Sequence, residues 1–409
     1  MSDHRDLLFR SYQAALQAVS GVNSVSCALA DFKCDQPLYL VAIGKAAGAM
    51  MQGVLQRIDR FEAALLISKY HHIDRDLYAD ERIECLEAAH PTPDENSLKA
   101  GRRLIEFVES TPRDARFLFL ISGGASALVE HLPSGVSLAD LQRLNQWLLA
   151  SGLPIHDMNP LRQGLSLLKG GRLRHYLQQR QAQALLISDV QGDEPAVIGS
   201  GLLYQTLLIS DELFAKAPEW LQMLLTRSRE QLPVASGLRD VPHQIVATND
   251  LAQRAAVTYA EQQGVNVYRH GNIDGDALLV GAEIADYLLT APAGVHIWGG
   301  ETTVLLPENP GRGGRCQALA LTAAQGIAGR DDITLLAAGT DGSDGPCEDA
   351  GAMVDGSTVA KGESCGLNLN EMLNNADGGS FLAECGDLIQ TGPTGTNVMD
   401  LVIAYKKIS

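Results

Sequence analysis

The sequence is poor in the features that mark several protein classes, and each absence narrows the reading. Its 409 residues include seven cysteines, scattered at Cys27, Cys34, Cys85, Cys316, Cys347, Cys365 and Cys385, with no C-x-x-C pair. An odd, dispersed set of this kind argues against a disulfide framework or a structural zinc site and for free thiols in a reducing compartment. No stretch reaches 18 apolar residues, so no membrane-spanning helix is expected. The charged start MSDHRDLLFR lacks a signal-peptide run, and a cytoplasmic location is the expectation. Basic blocks are missing too. With 32 Lys+Arg against 49 Asp+Glu the formal net charge is −17, which speaks against nucleic acid or an anionic membrane as partner. A small anion is not excluded, because a pocket can differ in sign from the surface as a whole.

Two nucleotide signatures are also lacking. No G-x-x-x-x-G-K-[ST] occurs, and no G-x-G-x-x-G follows a first strand. Gly311-Arg312-Gly313-Gly314-Arg315 comes nearest, yet it carries two arginines and lies late in the chain. There is no H-E-x-x-H, and His71-His72 lacks metal-ligand spacing. Glycine, in contrast, is abundant: 40 of the 409 residues, where about 7% is usual.

Short apolar runs at residues 37–43, 63–68, 117–122 and 184–188 read as strands buried on both faces. Amphipathic helical patterns at 45–58, 95–109, 138–150 and 161–168 separate them. That alternation predicts an α/β fold with a mostly parallel sheet. From 205 to 240 the pattern blurs around Pro218 and Pro233. It then resumes with strands at 243–248, 266–269, 295–298, 302–306, 333–338 and 401–405, and with helices at 249–263 and 276–290. The expectation is two α/β domains, residues 1–235 and 236–409, the larger first one Rossmann-like.

In open α/β sheets ligands bind at the C-terminal ends of strands, so the residues that follow each strand are the candidates. After the first comes Gly44-Lys45-Ala46-Ala47-Gly48, where small residues permit close approach and Lys45 offers an ammonium to an anion. After the run at 117–122, Ser122-Gly123-Gly124-Ala125-Ser126 has the makings of a phosphate nest of backbone N–H groups and hydroxyls. Asp189 and then Gly192-Asp193-Glu194-Pro195 place carboxylates where magnesium or a substrate hydroxyl could meet them. Gly299-Gly300-Glu301-Thr302-Thr303, Gly339-Thr340-Asp341-Gly342-Ser343-Asp344-Gly345 and Thr391-Gly392-Pro393-Thr394-Gly395-Thr396-Asn397 add acids and donors beside permissive backbone. His90-Pro91-Thr92-Pro93 has the look of a site, with a rigid turn as the other reading.

Several segments carry a family resemblance: VAIGKAAGAM (41–50), AAHPTPDENSLKAG (88–101), ISGGASAL (121–128), LKGGRL (168–173) and LISDVQGDEPAVIGSG (186–201). In the second half stand GGETTVLL (299–306), GRGGRCQALAL (311–321), LAAGTDGSDGPCEDAGAMVDG (336–356) and TGPTGTNVMDL (391–401). In this order, and over most of the chain, they resemble the glycerate 2-kinase family with its C-terminal MOFRL domain. The resemblance implies phosphorylation of D-glycerate at its 2-hydroxyl, dependent on ATP and Mg2+, giving 2-phosphoglycerate and ADP. It also implies two α/β domains with the active site in the cleft between them.

By the same resemblance Lys45 and Arg315 are the main cations, and Ser122, Gly123, Gly124 and Ser126 cradle nucleotide phosphates. Asp189 is catalytic and with Asp193 holds magnesium, while Arg162, Asn249, Glu301, Asp341 and Asn397 bind substrate or phosphate. The chain departs from the family pattern at Gln163, Gly164, Cys316, Ala318 and Asp250, which bears on the choice of hydroxy acid. Partners are expected to be small molecules, with a monomer or homodimer as the working unit. Two alternatives stay open: a hydroxypyruvate or tartronate-semialdehyde reductase using NAD(P)H, and a non-catalytic protein that binds a phosphorylated metabolite.

Overall fold

A computed structural model describes residues 3–151, 153, 155–205, 209–233 and 238–407. The chain folds as two compact α/β units, one formed by Gly21–Val246 and the other by residues 3–20 together with 247–407. The boundary expected after residue 235 falls on residues 234–237, outside those described. Among the described residues no helix is long and apolar enough to cross a membrane.

The first unit is built on a six-stranded sheet: β1 (Leu38–Ile43), β2 (Ala63–Lys69), β3 (Ile83–Ala88), β4 (Arg116–Ile121), β5 (Gln181–Ile187) and β6 (His243–Ala247). Their order is β3-β2-β1-β4-β5-β6, and β3 through β5 are mutually parallel. This is the strand order of doubly wound dinucleotide folds. The central strands are the apolar runs of the sequence because both their faces are covered. Val41, Ile43, Leu65, Ile67, Phe117 and Phe119 share one core with Leu104, Phe107 and Val108 of the helix Glu95–Ser110. That helix starts on a capping box in which Asp94 accepts the Ser97 N–H. The helix expected at 161–168 lies earlier, at Ile155–Gln163, with Pro160 inside it. With the helices Leu138–Ala150, Asp211–Lys216 and Glu219–Arg229 it forms a separate apolar cluster around Leu144, Leu161, Leu221 and Leu225.

The second sheet is mixed. Its strands are β7 (Val267–Asp276), β8 (Gly294–Thr303), β9 (Ile333–Gly339), β10 (Gly351–Asp355), β11 (Leu388–Ile389) and β12 (Asp400–Lys406), in the order β11-β10-β9-β12-β8-β7. β12 runs antiparallel to both β8 and β9. The two strands expected at 295–298 and 302–306 are one, because the Gly299-Gly300 pair does not interrupt the ladder. A Cβ on Gly299 would lie 1.9 Å from Asn249 Oδ1, so glycine there lets the neighbouring helix approach. The N-terminal helix Asp3–Ala18 joins this unit through contacts some 350 residues distant in sequence. Arg5 pairs with Asp355 and Asp387 at 2.8 and 2.9 Å, and the buried Tyr12 hydroxyl donates to Gly339 O at 2.6 Å.

Candidate active site

In the first unit the ends of β1 and β4 interlock. Gly44 has φ +131°, and a Cβ there would fall 2.2 Å from Ser122 Oγ, so this position admits only glycine. Ser122 Oγ accepts the Ala46 N–H at 3.1 Å, and the Lys45 N–H donates to Gly123 O at 2.9 Å. Ser122 is therefore a buried brace for the lysine loop, and its hydroxyl is committed to that task. Gly124, at φ +83°, precedes the short helix Ala125–Leu128. A Cβ on Gly124 would meet the His90 ring at 3.0 Å and Lys45 Cγ at 3.1 Å. His90, open in the sequence between a site and a turn, thus flanks the same glycine as Lys45. Among the described residues the N–H groups of Gly123 and Gly124 donate to no other backbone carbonyl.

Ser126 has a different task. Its hydroxyl lies 2.8 Å from Ser200 Oγ, Ser200 donates to Asn159 Oδ1 at 3.1 Å, and Gln163 Nε2 donates to Ser200 O at 3.0 Å. Since the Ser200 proton points to Asn159, Ser126 is the donor in the pair. On the same helix as Asn159, Arg162 gives its Nε–H to Asn145 Oδ1 at 3.2 Å, and burial lowers its pKa from the ordinary arginine value. A cation held this way, against the desolvation that opposes it, suits an incoming carboxylate or phosphate. Beneath this segment, Glu130 forms a buried ion pair with Lys169 and accepts the Ser166 hydroxyl.

Asp189 stands two residues past the end of β5 and is half-buried, while Asp193 sits at φ +54° with its N–H on Val190 O at 3.1 Å. Among the described residues no cluster of three or more His, Cys, Asp or Glu is arranged to hold a metal. Two carboxylates on one strand-end loop suit magnesium in the form it usually takes at phosphates, with water and phosphate oxygens completing its shell.

In the second unit the site is made of carboxylates. The helix Arg315–Gly326 begins with Arg315. Arg315 Nε and Nη2 donate to the two oxygens of Asp400 at 2.6 and 2.9 Å, and Nη1 meets Glu301 Oε1 at 2.9 Å. Burial opposes the charge, but Asp400 and Glu301 outweigh it and hold the guanidinium pKa well above its ordinary value. Asp344 accepts the N–H groups of Cys316 and Gln317 at 3.1 and 2.8 Å, satisfying two orphan donors at that helix start. Burial and the nearby Asp400 push its pKa up to about 7. A Cβ on Gly314 would overlap Asp344 at 2.3 Å, which is why glycine precedes Arg315.

The remaining expected residues are brought to the same strand ends with different roles. Asp341 accepts the Ser343 N–H and hydroxyl at 3.0 and 3.1 Å. Asn249 is buried, with Nδ2 donating to Val398 O and Asp400 O at 2.7 and 3.0 Å and Oδ1 accepting from Gln253. Its amide thus fixes the backbone around Asp400. Asn397 is buried between Thr396, whose hydroxyl donates to Val19 O at 2.6 Å, and Val398, whose N–H donates to Thr340 Oγ1. Asp250 pairs with Arg254 and Arg269 as a partly exposed ion cluster. Asp400 and Ser200 are not among the residues the sequence singles out, while Asp344 stands there only as an acid of its strand-end loop and His90 only as a site or a turn. Asp400 and Asp344 both stand inside the quoted motifs, so their carboxyl chemistry was in view, and only their pairing was not.

Comparison with known proteins gives this arrangement a family. A MOFRL family model matches residues 294–400, and a model described as a domain of unknown function (DUF4147) matches residues 7–220. The chain is 34% identical to the D-glycerate 2-kinase of Thermotoga maritima, over 98% of this chain and 97% of that protein. It belongs to the glycerate 2-kinase family. The crystal structure of a glycerate kinase from Thermotoga maritima superposes with a TM-score of 0.83 at 32% identity, covering 98% of this chain and 99% of that one. A protein from Agrobacterium vitis named putative hydroxypyruvate reductase is 33% identical over 88% of this chain and 97% of its own length. As a member of the glycerate 2-kinase family the chain is an enzyme, a kinase.

Proposed function

We propose that the enzyme transfers the γ-phosphoryl group of ATP to the 2-hydroxyl of D-glycerate, giving 2-phosphoglycerate and ADP. The observation that carries this reading is the pair of glycine amides at 123 and 124 beside Lys45, a strand-end cradle of donors next to a cation. Phosphoryl transfer asks a protein mainly for positioning and charge stabilisation. Lys45 and Arg315 neutralise charge developing on the transferring group. Arg162, oriented by Asn145, takes the substrate carboxylate, with the Asn159–Ser200–Ser126 chain beside it. The 2-hydroxyl oxygen attacks the γ-phosphorus, its proton passes to Asp189, and ADP leaves. Asp189 and Asp193 would hold magnesium, which when bound supplies charge neutralisation at the phosphate oxygens. Glu301, Asp341, Asn249 and Asn397 act in this reading as the frame of the second unit's strand ends. The seven cysteines are free thiols, in keeping with a cytoplasmic setting.

The reductase reading draws on the strand order of the first sheet and on the name of one relative. Against it, the turn after β1 carries Ala46 where a dinucleotide fold has its second glycine approaching pyrophosphate. The test sets ADP release from D-glycerate and ATP-magnesium against NAD(P)H oxidation by hydroxypyruvate. Phosphorus NMR of the product then tells 2-phosphoglycerate from the 3-phosphate. Kinase turnover with the 2-phosphate signal is expected. Nicotinamide oxidation without ADP release would overturn the proposal.

A further inference from the structure

Arg315 stands among more negative charge than it can balance. Asp400 and Glu301 both contact it, so with these two carboxylates alone the cluster already carries a net negative charge. A phosphoryl group would be repelled by that set. For Arg315 to meet phosphate, as the proposed function requires, one carboxylate must yield its place. The geometry decides which. Asp400 is 3% exposed, engages the guanidinium through two parallel bonds and has its own backbone carbonyl held by Asn249. Glu301 is 44% exposed and meets the guanidinium at its Nη1 edge. A half-exposed ion pair is open to exchange and screened by salt, whereas a buried bidentate one is geometrically fixed.

We propose that Asp400 is the positioning residue that aims Arg315, and that Glu301 is a place-holder whose carboxylate occupies the Nη1 edge until a phosphoryl oxygen displaces it. The exchange breaks no covalent bond. One anion replaces another on the same donor, and the displaced carboxylate returns to water. This rests on the reading that Arg315 meets the transferring group, but its central measurement does not require turnover.

The experiment titrates the full-length enzyme with inorganic tripolyphosphate by isothermal calorimetry, at low and at high salt. Removing the competitor in Glu301→Gln should tighten tripolyphosphate binding about threefold to tenfold at low salt, with the gain shrinking at high salt. Equal or weaker binding in that variant overturns the place-holder. Asp400→Asn should lower kcat at least about a hundredfold while the KM for ATP stays within about threefold, the signature of a lost orientation. A parallel rise in KM, or unchanged kcat, overturns the positioning role. Should Asp400→Asn fail to fold, 15N-arginine spectra of the wild type give the second measurement. The Arg315 Nε–H signal should persist unshifted on tripolyphosphate addition while an Nη signal moves, and the reverse overturns the assignment. Tighter binding in Glu301→Gln without any ADP release from wild-type enzyme would sink the kinase reading and leave this inference standing. Kinase turnover without tighter binding would do the opposite.

Discussion

In the first unit the loop after β4 is braced by hydroxyls and backbone carbonyls, Ser122 on the Ala46 N–H and Ser126 on Ser200. In the second unit the corresponding strand ends are braced by carboxylates, Asp400 and Glu301 on Arg315 and Asp344 on the helix that Arg315 begins. Hydroxyl and carbonyl bracing fixes the loop of glycine amides through neutral groups. Carboxylate bracing fixes a cation in direction while cancelling much of its charge. The arginine is thus held to meet an anion at one angle.

The sharpest test of that contrast pairs two alanine variants. Lys45→Ala and Arg315→Ala should each lower turnover by roughly 10²–10³, the usual effect of removing one group that stabilises transition-state charge. Their effects on the fold should differ. Lys45 is half-buried and its backbone N–H, which alanine keeps, ties the loop to Gly123 O, so its loss should cost less stability than that of Arg315, about 1 kcal/mol. Taken from its motif alone, Arg315 is expected to be as dispensable for folding. The structure corrects that expectation. Arg315→Ala strands the buried Asp400 carboxylate and should destabilise by roughly 3 kcal/mol. Denaturant unfolding of both variants checks the difference, and equal stability loss would break the comparison.

A second variant tests whether neutral bracing depends on glycine. Gly44→Ala forces a Cβ against Ser122 Oγ at φ +131°. About 3 kcal/mol of stability should be lost, along with the alignment of Lys45. A Gly44→Ala protein with wild-type midpoint would show that the two loops are not interlocked in solution.

Much of the first unit was legible because strands covered on both faces appear as continuous apolar runs, as β1, β2, β4 and β5 do. β3 escaped notice since Ile83-Glu84-Cys85-Leu86-Glu87-Ala88 is only partly buried along its middle. The N-terminal helix could not be placed, because nothing local in Asp3–Ala18 announces Asp355 or Gly339 as its partners. Strand-end loops were readable as candidates from their glycines and acids. Their internal wiring was not. Arg315 and Asp400 lie 85 residues apart and meet only because β12 pairs with β8 and β9. His90 stayed open between a site and a turn for the same reason, its neighbours Gly124 and Lys45 being distant in sequence.

The smallest expected effect concerns pH and the carboxylate bracing itself. Asp344 has a folded-state pKa near 7, raised by burial and by Asp400, against about 4 when unfolded. Between those values the native state binds a proton that the unfolded chain does not, so this group's contribution to stability falls as pH rises through 7. From pH 6 to pH 8 the loss should be roughly 1 kcal/mol. His131, His270 and His296 act in the opposite sense, since burial lowers their pKa values and folding then gains as the unfolded histidines lose protons. The total pH profile therefore hides the effect, and the difference between wild type and Asp344→Asn isolates it. That variant should be less stable at both pH values, because Cys316 and Gln317 donate to different oxygens of Asp344 and the amide turns an NH2 toward one of them. Its deficit should nonetheless shrink by about 1 kcal/mol from pH 6 to pH 8. A constant deficit would mean that Asp344 stays charged throughout, and that the carboxylates around Arg315 repel one another less than their burial implies.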